Sequence, residues 1–91
     1  MSSMSFPSYN PLRSPWAVSV NPSTNVAYVA NADGDTVSVI DGKTNTIIDN
    51  ITVGTIPVAL SVNPLTNIVY VANRADNTVT VIEHVSRRLA W

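Results

Sequence analysis

The chain alternates apolar and polar residues in short runs that are separated by turn residues. Ala17 to Val20 is the first run, and Val26 to Asn31 and Thr36 to Ile40 follow it. Alternation over about four to eight residues is typical of a half-buried β-strand, whose successive side chains point to opposite faces. A longer run, Thr46 to Val53, supplies a fourth strand. The pattern predicts an all-β protein.

Residues that favour turns lie between these runs. Pro22 follows the first run, where it presets a turn dihedral and offers no donor to a strand ladder. Gly34 follows the second run, and we expect it to adopt a positive φ because glycine does so without a steric penalty. Gly42 and Gly54 mark the next two changes of direction. Three hairpins followed by one crossover connection are therefore predicted.

The same pattern returns 42 positions later. Pro15 to Asp41 aligns without gaps with Pro57 to Glu83, and 16 of the 27 residue pairs are identical. A repeat of about this length in an all-β chain is typical of the four-stranded blade of a β-propeller. After Glu83 the pattern stops, so the second unit lacks a recognisable outer strand. We predict about two four-stranded antiparallel propeller blades, the second incomplete.

The repeat divides the chain into four segments. Residues 15–56 form the first blade, residues 57–83 the partial second blade, and residues 84–91 a C-terminal tail. Residues 1–14 are interpreted as a linker or as a closing strand. Their two prolines suit a linker or an edge strand better than a central strand.

Composition narrows the possible functions. Valine occurs 14 times and isoleucine 7 times against 4 leucines, as a pleated surface favours. Charged residues make up 12% and the net charge is -1, which argues against a disordered chain and against an electrostatic nucleic-acid binder. The chain has no cysteine, which removes thiolate nucleophiles and Cys-based zinc sites. We find neither a secretory signal pattern nor a stretch long enough to span a bilayer.

Two short motifs carry a family resemblance. Tyr28-Val29-Ala30-Asn31 recurs as Tyr70-Val71-Ala72-Asn73, and an alternating strand follows each copy. Over roughly residues 15–83 the chain resembles the YVTN-type β-propeller repeat, with alanine where the motif's name has threonine. The resemblance implies tandem blades of a surface-layer or secreted protein, and hence an extracellular or cell-surface location. Similar blades occur in periplasmic electron-transfer enzymes such as nitrous oxide reductase.

Two blades leave apolar faces without a partner. A propeller blade packs one face on the preceding blade and the other on the next, so two blades alone satisfy one such interface. Either the chain is a fragment of a longer propeller, which we expect, or about three or four chains close a ring of roughly six to eight blades. The predicted partners are accordingly other propeller blades or identical chains.

Few side chains suggest a specific site. Asp33 and Asp35 lie about Gly34 in a pattern that resembles the start of a calcium loop, but the downstream glutamate is missing and an ordinary hairpin turn is the alternative. Asn50 begins an Asn-Ile-Thr tripeptide, an N-glycosylation pattern, or is a polar residue of the outer strand. Trp16 lines a central channel or packs between blades.

These observations favour a non-catalytic interaction or structural module whose loops bind a protein or glycan partner. No catalytic residue, cofactor-binding residue or cofactor is predicted, since His84 is the chain's single histidine and no cysteine is present to complete a metal site or a catalytic triad with it. One alternative is part of a larger propeller oxidoreductase or lactonase, whose site needs several His or carboxylate side chains converging from successive blades. Another is a repeat unit that assembles itself into a ring.

Overall fold

The computed structural model describes residues 12–83. β1 to β4 form a four-stranded antiparallel sheet, the first sheet, and β5 to β7 form a three-stranded antiparallel sheet, the second sheet. Each strand within a sheet pairs with the next along the chain. The predicted all-β fold is confirmed, and within residues 12–83 the second sheet has three strands where the first has four. The strands are β1 (Pro15–Asn21), β2 (Val26–Asn31), β3 (Thr36–Asp41), β4 (Thr46–Thr52), β5 (Pro57–Asn63), β6 (Ile68–Asn73) and β7 (Thr78–Glu83).

Every hairpin turn has four residues, and the last of them adopts a left-handed backbone. The expectation that Gly34 carries a positive φ is wrong, because Asp35 carries it instead, at 54°. The Gly34 N–H donates to the carbonyl of Asn31 at 3.2 Å, so the reversal into β3 falls one residue later. Asn and Asp tolerate this conformation better than other non-glycine residues. The other turns end in the same way at Asn25, Asn45, Asn67 and Asn77.

The two sheets pack face to face around one apolar core. Its buried members are Tyr28, Val37 and Val39 from the first sheet and Val69, Val71 and Ile82 from the second. Tyr28 lies opposite Val39 in the register of β2 and β3, so the two side chains share one face. Both are at most 1% exposed. This face of the first sheet is therefore covered by the second sheet.

On the second sheet, the equivalent of that covered face is open. Tyr70 and Val81 occupy the places that Tyr28 and Val39 hold in the first sheet, and they pair in the same register. Tyr70 is nevertheless 42% exposed and Val81 56% exposed. We call this surface the open face of the second sheet. It carries Ala59, Tyr70, Ala72, Val79 and Val81.

On the first sheet, the face turned away from the core is the more exposed one. Val20 is 55% exposed, whereas its repeat equivalent Val62 packs against the core. Ala27 is half-buried, whereas its equivalent Val69 is fully buried. We call this surface the open face of the first sheet. It carries Val18, Val20, Ala27, Val29 and Ile40, of which Val29 and Ile40 are buried.

The buried Tyr28 predicts how stability depends on pH. Burial raises the pKa of the Tyr28 phenol, because ionisation would place a charge in the apolar core. The native state therefore keeps this proton above about pH 10, where an unfolded tyrosine loses it, and the free energy of unfolding decreases as the pH rises from there. We expect Tyr28→Phe to flatten that decrease in urea titrations. Equal slopes for both proteins would contradict the assignment.

Candidate functional site

The turns collect at two ends of the sheet pair, because antiparallel strands taken in sequence order place alternate turns at the same end. One end carries turn residues 22–25, 42–45 and 64–67, and we call it the Asx end. The other carries turn residues 32–35 and 74–77. We call it the crossover end, because the connection between the two sheets runs beside these turns.

Carboxylates hold that connection in place. The Ile56 N–H donates to Oδ1 of Asp35 at 2.9 Å, and the Thr55 N–H donates to Oδ2 of Asp76 at 2.9 Å. The Val53 N–H donates to the main-chain oxygen of Asp35 at 3.0 Å. Hydrogen bonds to a charged group contribute about 1.5–3 kcal/mol each. Asp35 and Asp76 thus tie the turn of each sheet to the crossover.

The segment that enters the first sheet is bonded to a turn in the same way. Residues 13–14 lie against turn 32–35 as residues 55–56 lie against turn 74–77, and Ser14 and Ile56 both have a left-handed backbone. The repeat therefore extends back to residue 13, within the segment 1–14 that the sequence assigned to a linker or closing strand. Residues 1–11 lie outside the described part. The main-chain bonds are Ala32–Ser14 at 2.9 Å, Asp33–Arg13 at 3.1 Å, Arg74–Ile56 at 2.9 Å and Ala75–Thr55 at 3.2 Å.

The candidate calcium residues Asp33 and Asp35 serve different segments. Oδ2 of Asp33 accepts a hydrogen bond from the Ser14 hydroxyl at 2.6 Å, while Asp35 accepts from Ile56. Across residues 12–83, no group of three or more His, Cys, Asp or Glu side chains is placed to hold a metal ion. The local geometry is that of a hairpin turn, with both carboxylates bonded to the segments that pass beside it.

An asparagine at the end of β2 organises the neighbouring strands. Nδ2 of Asn31 donates to the Ser38 hydroxyl at 2.9 Å, and that hydroxyl donates to Oδ1 of Asn50 at 2.6 Å. Asn50, the candidate glycosylation residue, is exposed on β4. At the end of β6, Asn73 bonds the hydroxyl of Thr80 at 2.8 Å in the equivalent way. The final residue of the repeated four-residue motif therefore ties its strand to the next strand.

Gly54 lies so close to Asn73 that a side chain does not fit. A Cβ at Gly54 would stand 2.7 Å from Cγ of Asn73 and 2.8 Å from Oδ2 of Asp76. Asn73 is 2% exposed and its amide donates to the Thr80 hydroxyl, so the side chain can move away only by breaking that hydrogen bond. We expect Gly54→Ala to lower the free energy of unfolding by about 1–3 kcal/mol in urea titrations, as overpacking does.

Gly34→Ala is the matched control for this prediction. A Cβ at Gly34 would meet Cβ of Arg13, an exposed residue, at 3.2 Å, and the backbone φ of Gly34 is not positive. We expect a change within about 0.5 kcal/mol. If the two alanine variants were equally stable, the tight packing of the crossover at Gly54 would be refuted.

At the Asx end, each of the three turns contains the same kind of side-chain hydrogen bond. The residue before each turn accepts a hydrogen bond from the N–H two positions later, the pattern of an Asx turn. This bond fixes the start of the turn, and the left-handed asparagine fixes its end. The pairs are Asn21–Ser23 at 2.9 Å, Asp41–Lys43 at 3.0 Å and Asn63–Leu65 at 3.0 Å.

Two hydrogen bonds link the sheets at the Asx end. Nδ2 of Asn21 donates to Oδ1 of Asn67 at 2.9 Å, and the Ser23 hydroxyl donates to the carbonyl of Pro64 at 3.1 Å. Asn21 is fully buried, so this amide lies within the contact between the sheets. This role of Asn21 was not predicted from the sequence. The signal available was an asparagine at the same place in both repeats.

The outer surface of the Asx end combines polar turn residues with the exposed Leu65, and Asp41 and Glu83 lie at the adjoining strand ends. Its three turns expose hydroxyl and amide groups, including those of Ser23 and Thr66. Lys43 is the only charged residue of these twelve turn positions, and it is exposed. Asp33, Asp35, Asp76 and the exposed Arg74 lie in the hairpin turns of the crossover end. The two ends therefore offer different chemistry to a partner.

Comparisons with known proteins support the fold. No protein family and no curated protein matches the sequence. The hydrazine synthase of Kuenenia stuttgartiensis, a β-propeller-containing protein, matches the structure with a TM-score of 0.75 and 22% sequence identity. Both sheets are propeller-like blades. The match covers 91% of this chain and 24% of that chain, and at this identity it shows the fold alone.

Trp16 lies on the open face of the first blade. It is 65% exposed and does not pack between the two described blades. It lines an open depression with Pro15, Ala17, Val18 and Val29. A similar depression opens on the second blade at Tyr70. The sequence prediction that Trp16 lines a central channel stays a prediction.

The predictions on His84, on the C-terminal tail and on membrane spans are tested by the structure only in part. His84 lies outside the described residues, as does the tail 84–91. Over residues 12–83 we find no helix with the length and apolar character needed to cross a membrane.

Proposed function

We propose that this chain is a non-catalytic structural and interaction module of YVTN-type β-propeller repeats, belonging to a cell-surface or secreted protein. The observation that carries the proposal is the use of its turn carboxylates. Asp33, Asp35 and Asp76 accept hydrogen bonds from the segments that enter and connect the blades. They act as supports of the scaffold.

The repeated motif has a structural role that supports the family part of the proposal. In the first blade the tyrosine, Tyr28, lies on the face where the following blade packs, and Tyr70 lies on the equivalent, open face of the second blade. In each blade the asparagine donates to the hydroxyl of the next strand, as Asn31 and Asn73 do. The motif thus joins packing between blades to pairing within a blade, which explains why the two residues occur together in both copies.

The Asx end is the surface we propose for a foreign partner, and we propose a glycan. Exposed hydroxyl and amide groups both donate and accept hydrogen bonds, as sugar hydroxyls do. Lys43 supplies an exposed cationic donor on this surface, in the turn that begins after Asp41. Asn50, exposed on the outer strand β4, is proposed as the glycosylation acceptor of this chain in an extracellular setting.

A printed array of neutral and acidic oligosaccharides tests the glycan proposal. We expect the purified chain to bind a subset of the array. Lys43→Ala should weaken that binding about tenfold, the loss expected for one charge-assisted hydrogen bond. Arg74→Ala removes the cation of a turn at the crossover end and is the matched control, which should bind like the unaltered chain. Absence of binding, or equal loss in both variants, would reject the Asx end as a glycan site.

The same preparation tests the enzyme alternative. A larger propeller oxidoreductase or lactonase would need His or carboxylate side chains that converge from several blades. A hydrolytic or metal-dependent activity that copurifies with the chain and is lost in Asp33→Ala and Asp35→Asn would replace the non-catalytic proposal. We expect neither variant to change any activity of the preparation.

A further inference from the structure

We infer that a second copy of this chain docks head to tail on the open faces, so that the first blade of one copy packs on the second blade of the other. The two blades within one chain already pack in this way. The inference goes beyond the proposed function, because it concerns a contact between identical chains and requires no foreign ligand.

Each open face is equivalent, by the repeat, to one of the two surfaces that form the core between the blades. The core between the blades is formed by Tyr28 and Val39 on one side and by Val69 and Val71 on the other. The open face of the second blade is the repeat equivalent of the surface that carries Tyr28 and Val39. The open face of the first blade is the repeat equivalent of the surface that carries Val69 and Val71. The chain therefore exposes both halves of an interface that it also contains in assembled form.

The two open faces are largely apolar and uncharged near the sheet centre. Val18 is 66% exposed and Val79 60% exposed, and the polar residues that share the faces in the strand register, Ser38, Asn50 and Ser61, carry no charge. Contiguous exposed apolar surface on a soluble chain marks a contact site. A twisted sheet face is best matched by another twisted sheet, which a second copy supplies.

The hydrogen bond that Asn21 makes to the next blade has no counterpart at its repeat equivalent within residues 12–83, and a second copy supplies the missing acceptor. Asn21 donates through Nδ2 to Asn67 on the next blade. The repeat equivalent of this donor is Asn63, and the equivalent of the acceptor is Asn25. Asn63 uses its Oδ1 in its own turn, while its Nδ2 has no acceptor within residues 12–83. In the docked pair, Nδ2 of Asn63 donates to Oδ1 of Asn25 of the other copy.

Trp16 supplies a side chain for the depression on the opposite face. It takes the place that Val58 has in the second blade, and Val58 lies on the strand that contacts the first blade. The depression beside Tyr70 is lined by Ala59, Ala72 and Val79 among others. In the head-to-tail arrangement Trp16 of one copy covers this depression. A contact between Trp16 and Tyr70 would stabilise the pair of chains beyond the contribution of the apolar area that it buries.

The solution mass of the full 91-residue chain tests the inference. We expect light scattering to give at least two copies per particle at concentrations of about 100 µM, for a contact of micromolar strength. Val18→Lys alters one open face and Val81→Lys the other, and each variant alone should be a single copy. Thr44→Lys is the control, because Thr44 is exposed in the turn between β3 and the edge strand β4 and this variant should assemble like the unaltered chain.

Mixing the two face variants separates head-to-tail docking from other arrangements. Val18→Lys keeps its second-blade face and Val81→Lys keeps its first-blade face, so the mixture should form a dimer containing one copy of each. If Val81→Lys forms dimers by itself, like faces dock on each other and the inference is overturned. A folded single copy of the unaltered chain, or an unfolded aggregate, also overturns it and favours a further blade of a longer polypeptide as the occupant.

Milder changes keep the test valid if a lysine variant does not fold. Asn63→Ala should raise the dissociation constant about fivefold to tenfold through the lost hydrogen bond. Val18→Thr retains the shape and the strand preference of valine and should weaken assembly. In a Trp91→Phe background, Trp16 fluorescence should shift to shorter wavelength as the concentration rises. Unchanged assembly in both variants with a constant spectrum would overturn the inference.

Discussion

Tyr28→Ala is expected to lower the free energy of unfolding by about 3–5 kcal/mol, the usual cost of removing a buried aromatic side chain. Tyr28 is 1% exposed at the centre of the core between the blades. Small domains have about 5–15 kcal/mol of stability in total, so this variant should be partly unfolded without denaturant. Urea titration followed by circular dichroism measures the change.

Tyr70→Ala is the matched control, since the same residue in the same motif of the second blade is 42% exposed. At dilute concentrations, where the chain is a single copy, we expect a loss of about 1 kcal/mol, as is common for partly exposed positions. Equal losses in the two variants would mean that the blades do not pack as the structure shows.

Asp35→Ala is expected to lower the free energy of unfolding by about 2–4 kcal/mol. About 1.5–3 kcal/mol comes from the charge-assisted hydrogen bond to the Ile56 N–H. About 1 kcal/mol comes from the left-handed backbone at Asp35, which alanine adopts less readily than aspartate. Because Asp35 also positions the crossover, amide hydrogen exchange at residues 53–56 should become faster.

Two variants control for the role of Asp35. Asp35→Asn retains an oxygen acceptor and tolerates the left-handed backbone, so it should lose less than about half of that stability. Asp33→Ala removes an exposed bond to Ser14 and should cost about 1 kcal/mol or less. If Asp33→Ala were the more destabilising of the two alanine variants, Asp35 would not be the main support of the crossover.

The strands were predictable because their signals are local. Alternation, prolines and the 42-residue repeat placed all seven strands within one or two residues of their observed ends. The end of the repeat at Glu83 also predicted a second sheet with one strand fewer. These features depend on neighbouring residues, which the sequence displays directly.

The turn conformations were predicted less well. Glycine was expected to carry the positive φ, yet Asp35 and the asparagines at the equivalent turn ends carry it. The cause is the four-residue length of the turns, which places the reversal at their last residue. The regular return of Asn or Asp at this position, as in Asn25 and Asn45, was the signal that could have shown it.

The candidate site shows a similar division. The sequence singled out Asp33 and Asp35 as residues of a polar turn, but not the segments that they bind. Ser14 lies 19 positions before Asp33, and Ile56 lies 21 positions after Asp35. Such distant pairs follow from the way the crossover folds back, which no local pattern reports. The same holds for Asn21 and Asn67, which are 46 positions apart.

Local sequence patterns were enough to predict the all-β class, the strand positions and the repeat. Which apolar faces are buried follows instead from the packing of the two sheets. Tyr28 and Tyr70 stand in the same motif, so local sequence assigns them the same environment. Their burial differs because the second blade lies on one side of the first and nothing within residues 12–83 lies on the far side of the second. Burial depends on which sheet is next in space, and that is a property of the whole assembly.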